Sequence, residues 1–177
     1  CTCQRSDTHT PIDRFALVTR HNVVLTEPDT LGALSVGNGE FAFTVDASGL
    51  QTFIAEYENG IPPGTQAQWG WHAFQGEDHS LNEVTKEYES CDGTKAPYAI
   101  QHREGTAGEA TRWLRINPHR LQLGLAGLMI TKKNGEALTL DDLDGFQQKL
   151  DLWTGKIETT YRVDEDTVKV ELYAHQA

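Results

Sequence analysis

The sequence predicts an all-β fold, a large antiparallel β-sandwich of supersandwich-like build with one short helix, and three observations carry that expectation. Between Gln147 and His175 apolar and polar residues alternate in three runs: Leu150 and Leu152; Ile157, Thr159, Tyr161 and Val163; Val168, Val170, Leu172 and Ala174. Thr154-Gly155 separates the first two runs and Asp164-Glu165-Asp166-Thr167 the last two, so the stretch reads as a three-strand meander with one apolar face. Near the other end, Asn38-Gly39 lies between Leu34-Ser35-Val36 and Phe41-Ala42-Phe43, and Asn-Gly tolerates the positive φ of a tight hairpin turn. Convincing helical propensity is confined to Gly108–Arg115, which Asn117-Pro118 ends. A half-apolar sheet must be covered, so a second sheet or a neighbouring domain is expected against the meander.

In chain order, Phe15-Ala16-Leu17-Val18 and Val23-Val24-Leu25 read as two short strands or one bent strand, closed by Pro28-Asp29. The Asn38-Gly39 hairpin runs on to Val45, Asp46-Ala47-Ser48-Gly49 turns, and Leu50 to Ile54 reads as another strand. Glu58 to Thr65 contains Pro62-Pro63-Gly64, which denies it a regular ladder and makes it a long loop. Trp69-Gly70-Trp71-His72-Ala73-Phe74 then alternates large rings with small residues. Gln75 to Gly93 is polar, acidic and read as irregular; Tyr98 to Gln101 reads as a strand before the helix, and His119 to Thr131 as a return to strand. Lys132-Lys133-Asn134-Gly135 is a turn, Leu138-Thr139-Leu140 a further extended piece, and Asp141 to Gly145 a polar connector into the meander. Its last run is still in strand pattern at Gln176, so more protein is expected downstream of Ala177.

Two patches carry a family resemblance. Leu-Asp-Leu-x-Thr-Gly at Leu150–Gly155, the Tyr161-x-Val163 strand, the acidic turn and Val168-x-Val170-Glu171-x-Tyr173 resemble the end of the N-terminal β-sandwich domain of glycoside hydrolase families 65 and 95. Leu34-Ser35-Val36-Gly37-Asn38-Gly39-Glu40-Phe41 resembles the strand-turn-strand near the start of those domains. The patches cover about a quarter of the chain and stand in the same order as in those enzymes, whose catalytic unit is a separate (α/α)6 barrel of the six-hairpin glycosidase type. The resemblance implies residues 12–177 as a non-catalytic β-sandwich domain that packs on that barrel and lends a loop to a glycan cleft. It also implies that this chain alone is inactive. The rival reading is an independent carbohydrate-binding or adhesion module, with Trp69 and Trp71 as an exposed platform. A third is a purely structural domain.

Composition narrows the partners. The 177 residues suffice for one domain, and 15 basic against 26 acidic side chains give a formal charge of -11. That balance argues against nucleic acid, whose phosphates need clustered Lys and Arg, and suits neutral carbohydrate, which aromatic faces, amides and carboxylates can grip. No apolar run approaches membrane-spanning length. The chain opens on Cys1, followed by a polar stretch through Ser6-Asp7-Thr8. One reading is a mature bacterial lipoprotein with Cys1 lipidated, residues 1–11 as a flexible tether, and a periplasmic, outer-membrane or cell-surface location. The other is an arbitrary chain boundary. Membrane contact is expected only through such an anchor. Cys1, Cys3 and Cys91 form no metal pattern, and the seven His show no H-x-H or H-x-x-x-H spacing, so neither metal nor cofactor is expected.

The best ligand candidates are Trp69, Trp71 and His72, with Phe74 beside them and Glu58 and Asn59 near in sequence. Indole faces stack on sugar C–H faces while amides and carboxylates take the hydroxyls. The competing reading puts Trp69, Trp71 and Ala73 into the core on alternating positions, with His72 pointing the other way. A glycosidase pair is expected only weakly, since Glu56 and Glu58 share a face only if extended and Asp141, Asp142 and Asp144 merely crowd a loop. Asp151 reads as a turn-side or interface residue rather than an acid.

Overall fold

The computed structural model describes residues 11–75 and 79–176, and the expected tether and Cys1 lie, apart from Pro11, outside the described residues. It is an all-β structure of antiparallel sheets in which one helix exceeds two turns. Two compact units divide it: one holds the described residues up to Thr65 and from Gly124 onward, the other Gln66–Leu123.

In the first unit the meander is β9 (Asp144–Asp151), β10 (Lys156–Val163) and β11 (Asp166–Leu172). A fourth strand, β1 (Val23–Leu25), pairs with the free edge of β9, giving the order β1-β9-β10-β11. The alternation acts as expected along β10, where Ile157, Thr159, Tyr161 and Val163 are buried while Arg162 is exposed. The strand pattern does not persist to the end of the chain, because β11 stops at Leu172.

The covering layer is the hairpin of β2 (Leu34–Gly37) and β3 (Phe41–Val45). Asn38 and Gly39 make its turn: the Asn38 side chain accepts from the Glu40 and Phe41 amides, and Gly39 holds φ 93°. Leu34, Val36, Phe43 and Val45 bury their side chains with Ile157 of the meander. β4 (Gly64–Ala67) joins the other side of β3, so the predicted loop already becomes strand at Gly64, just after the two prolines.

Five stretches differ from the sequence reading. Phe15–Val18 is helical, within α1 (Arg14–Thr19), because the Asp13 carboxylate accepts from the Ala16 amide at 3.0 Å and starts a helix. Leu50–Ile54 is not a strand: the Asp46 carboxylate captures the amides of Ser48 at 2.8 Å and Phe53 at 2.5 Å. That capture curls the segment back, and Phe53 leads into the one-turn α2 (Ile54–Tyr57). Within the stretch read as irregular, the described residues from His79 to Gly93 hold regular elements: a 3-10 turn, Leu81–Val84, is boxed by Ser80 and Glu83, and β6 (Thr85–Glu89) pairs with β7 (Lys95–Ala99). His119–Thr131 forms strand only at His119–Arg120; beyond it the chain runs irregularly, fastened by Gln51 and Thr52 to Ala126 and Leu128. Leu138–Leu140 likewise gives way to a 3-10 turn at Leu140–Asp142.

Under the meander lies a polar knot. Gln148 donates to the Asp46 carbonyl at 2.9 Å and to the Thr159 hydroxyl at 3.0 Å, and Tyr161 reaches the Ser48 carbonyl at 3.5 Å. Gly49 closes the Asp46 turn at φ 84°, and a Cβ there would lie 2.9 Å from Thr159 and from Val170. Gly49→Ala therefore combines backbone strain with overpacking and should cost about 1 to 3 kcal/mol. Urea denaturation measures it, and a loss below a few tenths would remove that contact from the account.

In the second unit α3 (Gly105–Ile116) packs on the Leu81–Val84 turn, with Ala110 and Val84 buried. The helix is where the sequence put it, three residues longer at its start.

Candidate functional site

The aromatic candidates sit on a two-strand ribbon of the second unit, β5 (Trp71–His72) paired antiparallel with β8 (His119–Arg120). Trp71 stands opposite Arg120 and His72 opposite His119. Because side chains alternate along a strand, the ribbon carries one pair on each face. A turn before it, closed by the Gly70 amide donating to the Ala67 carbonyl at 3.1 Å, delivers Trp69 and Trp71 to the surface.

On the first face the Arg120 guanidinium lies over the Trp71 ring, 4.5 Å from its centroid, and its Nη1 donates to the Ala67 carbonyl at 2.7 Å. That bond fixes the arginine, and the arginine in turn braces the indole. Trp71 nevertheless keeps 53 % of its surface exposed and Trp69 keeps 75 %. Ala73 is exposed too. Among the described residues, burial of Trp69, Trp71 and Ala73 on alternating positions therefore does not occur.

On the other face His72 meets Phe74 edge-on at 4.9 Å and His119 at 5.2 Å, and Phe74 stacks on His119 at 5.2 Å. Asn117 pins this corner, accepting from the Phe74 amide at 2.9 Å and donating to its carbonyl at 3.1 Å. Phe74, Trp113, Leu114 and Pro118 line an apolar hollow of about 570 Å³ beside it.

Glu58 and Asn59 belong to the first unit, exposed at the C-terminal end of α2, and the site described here is built from the second unit alone. Glu56 is within α2, so the extended geometry that would align it with Glu58 does not form. The aspartates of the 141–144 loop have local work. Asp142 accepts from Thr139 and Lys132, and chiefly the Thr139 hydroxyl and then the Lys132 ammonium hold its carboxyl at about 2. Asp144 pairs with Arg162. Asp151 accepts from the Trp153 amide at 3.0 Å, a turn role as its sequence context suggests. Among the described residues no group of three His, Cys, Asp or Glu is placed to hold a metal ion, and no helix is long and apolar enough to cross a membrane.

Sequence reading missed His119 and Arg120, the residues that complete both faces. They lie nearly fifty positions from their partners, and a two-residue strand leaves no periodicity to detect. Compared with known proteins, the chain matches no family model, no curated protein and no solved structure at a significant level.

Proposed function

We propose that this chain is a non-catalytic β domain of a carbohydrate-active enzyme, in which the Trp69–Trp71 surface contacts neutral glycan. The observation that carries the reading is the exposure of both indoles, one of them held in place by Arg120. A fixed, half-bare indole offers a sugar ring a flat apolar face at little entropic cost. The strand-turn-strand and meander patches that resemble glycoside hydrolases of families 65 and 95 supply the enzyme context, with the catalytic (α/α)6 barrel of the same polypeptide as partner and a lipid on Cys1 as the route to the membrane. The same exposure equally favours an independent binding module, and the two readings part on whether the chain binds alone.

Affinity electrophoresis of the chain through gels loaded with neutral polysaccharides, then calorimetry with the matching oligosaccharides, tests both. Trp71→Ala should weaken binding about three- to tenfold, the worth of one aromatic stack. Because the ring is a surface ring, the same change should cost less than about 1 kcal/mol of stability, against the 3 to 5 expected of a core aromatic. Retention by the wild-type chain marks a self-sufficient module. Retention only when the barrel is attached marks a shared cleft. Binding that Trp69→Ala and Trp71→Ala both leave untouched sinks the assignment. No turnover of aryl glycosides is expected from the chain, and hydrolysis abolished by Glu56→Gln or Glu58→Gln would overturn the non-catalytic role.

A further inference from the structure

The second unit also carries a positively charged hollow that the neutral-glycan reading does not use. Its volume is about 580 Å³, room for a small ligand, and Gln101, Arg103, Arg112 and Arg115 line it. Arg112 and Arg115 lie three residues apart on one stripe of α3, continuous with Gly108 and Thr111. Arg103 reaches the same hollow from the segment before the helix, and a hydrogen bond ties that segment to α3. The His102 amide donates to the Thr111 hydroxyl at 3.2 Å, and that hydroxyl is oriented within the helix by donating to the Ala107 carbonyl at 2.8 Å. Gly108 lets the Arg103 backbone come in, since a Cβ there would stand 2.9 Å from the Arg103 carbonyl carbon. None of the three guanidiniums makes an ion pair with a described carboxylate, although Glu104 and Glu109 lie on or beside the same helix.

We propose that this hollow binds a tetrahedral oxyanion, the sulfate or phosphate monoester of a small ligand such as a sugar. Three planar guanidiniums offer paired N–H donors to such a group, and Arg binds it in the forked geometry that Lys lacks. In a chain of charge -11 three guanidiniums left together repel one another, and a bound dianion would relieve that repulsion. Only anions reaching the hollow itself gain, because ionic screening confines the local field to about 8 Å.

Calorimetric titration of the chain with inorganic sulfate, inorganic phosphate, glucose-6-sulfate, glucose-6-phosphate and glucuronate tests this. Saturable binding of one ester type above the other names the source of the oxyanion, and equal binding of both with the free ions shows that the oxyanion alone is read. Arg112→Gln and Arg115→Gln, both at exposed positions, should each weaken binding roughly tenfold or more. Gly108→Ala, which displaces Arg103 while leaving the helix arginines in place, should also weaken it, with circular dichroism confirming that α3 persists. Trp71→Ala should leave it unchanged, so failure here is separable from failure of the glycan reading. No saturable binding, glucuronate binding as well as the esters, or wild-type affinity in the Arg112→Gln, Arg115→Gln double variant would each overturn the proposal.

Discussion

Asp46→Ala is expected to cost about 2 to 4 kcal/mol, measured as a lower urea midpoint with an unchanged slope. Asp46 is 1 % exposed, and its carboxylate accepts from the Ser48 amide, the Ser48 hydroxyl at 2.6 Å and the Phe53 amide. Removing it strands the buried Ser48 and Phe53 amides, at about 1 to 3 kcal/mol each, while the Ser48 hydroxyl keeps the Thr52 hydroxyl at 2.8 Å. The loss should depend on pH in a stated direction. Burial pushes the Asp46 carboxyl above its ordinary 3.8, against the opposing pull of the Ser48 hydroxyl and the backbone amides. A raised folded-state value means that its contribution is complete below 3.8 and declines as pH rises through the folded-state value. The gap between wild type and Asp46→Ala should therefore be widest in acid. Glu171, held at about 2 chiefly by Lys169 and then Lys156, has the opposite sign: its stabilisation is present above 4.5 and fades as pH falls toward 2. A gap that widened from acid to neutral pH would mean that the buried carboxylate is stabilised by its bonds more than it is penalised by burial.

The meander and the Asn38-Gly39 hairpin were legible because period-two alternation and turn chemistry are local properties that burial reinforces. The β6–β7 pair was not, since Thr85-Lys86-Glu87-Tyr88-Glu89 is solvated on both faces and presents no alternation. Leu50–Ile54 misled for a different reason: its apolar residues invite a strand, and a carboxylate four positions upstream folds it into a knot instead. The helix at Arg14–Thr19 turns on its N-cap Asp13, a single local hydrogen bond that strand-like runs of apolar residues do not reveal. For the candidate site, Trp69, Trp71, His72 and Phe74 could be named from composition alone. Whether those rings faced inward could not, because that depends on a two-residue strand pairing with His119-Arg120, nearly fifty positions away.

Tyr161→Ala should be the most damaging single change in the meander, at about 3 to 5 kcal/mol, which for a chain of this size lowers the melting temperature by roughly 6 to 20 °C. Tyr161 is fully buried at the centre of β10, packed in one cluster with Ala47, Phe53, Tyr57, Phe146 and Val163. Truncation empties the middle of that cluster; Tyr161 is paired in register with Val168 of β11 and sits at a break in register with β9 between Thr160 and Arg162, so the tyrosine ring fills space that the ladder itself does not close. Tyr161→Phe separates packing from polarity. The hydroxyl reaches the Ser48 carbonyl only at 3.5 Å, a weak bond, and burial with the nearby Asp46 charge pushes its pKa to about 12, so it stays neutral across the working range. Phenylalanine keeps the ring and loses that bond alone, so its cost should stay under about 1 kcal/mol. Thermal unfolding of the three proteins side by side decides the matter. A phenylalanine variant as unstable as the alanine one would show that the ring is held for its hydroxyl, and the core of this unit would then be organised by the Asp46, Ser48 and Gln148 network more than by apolar packing.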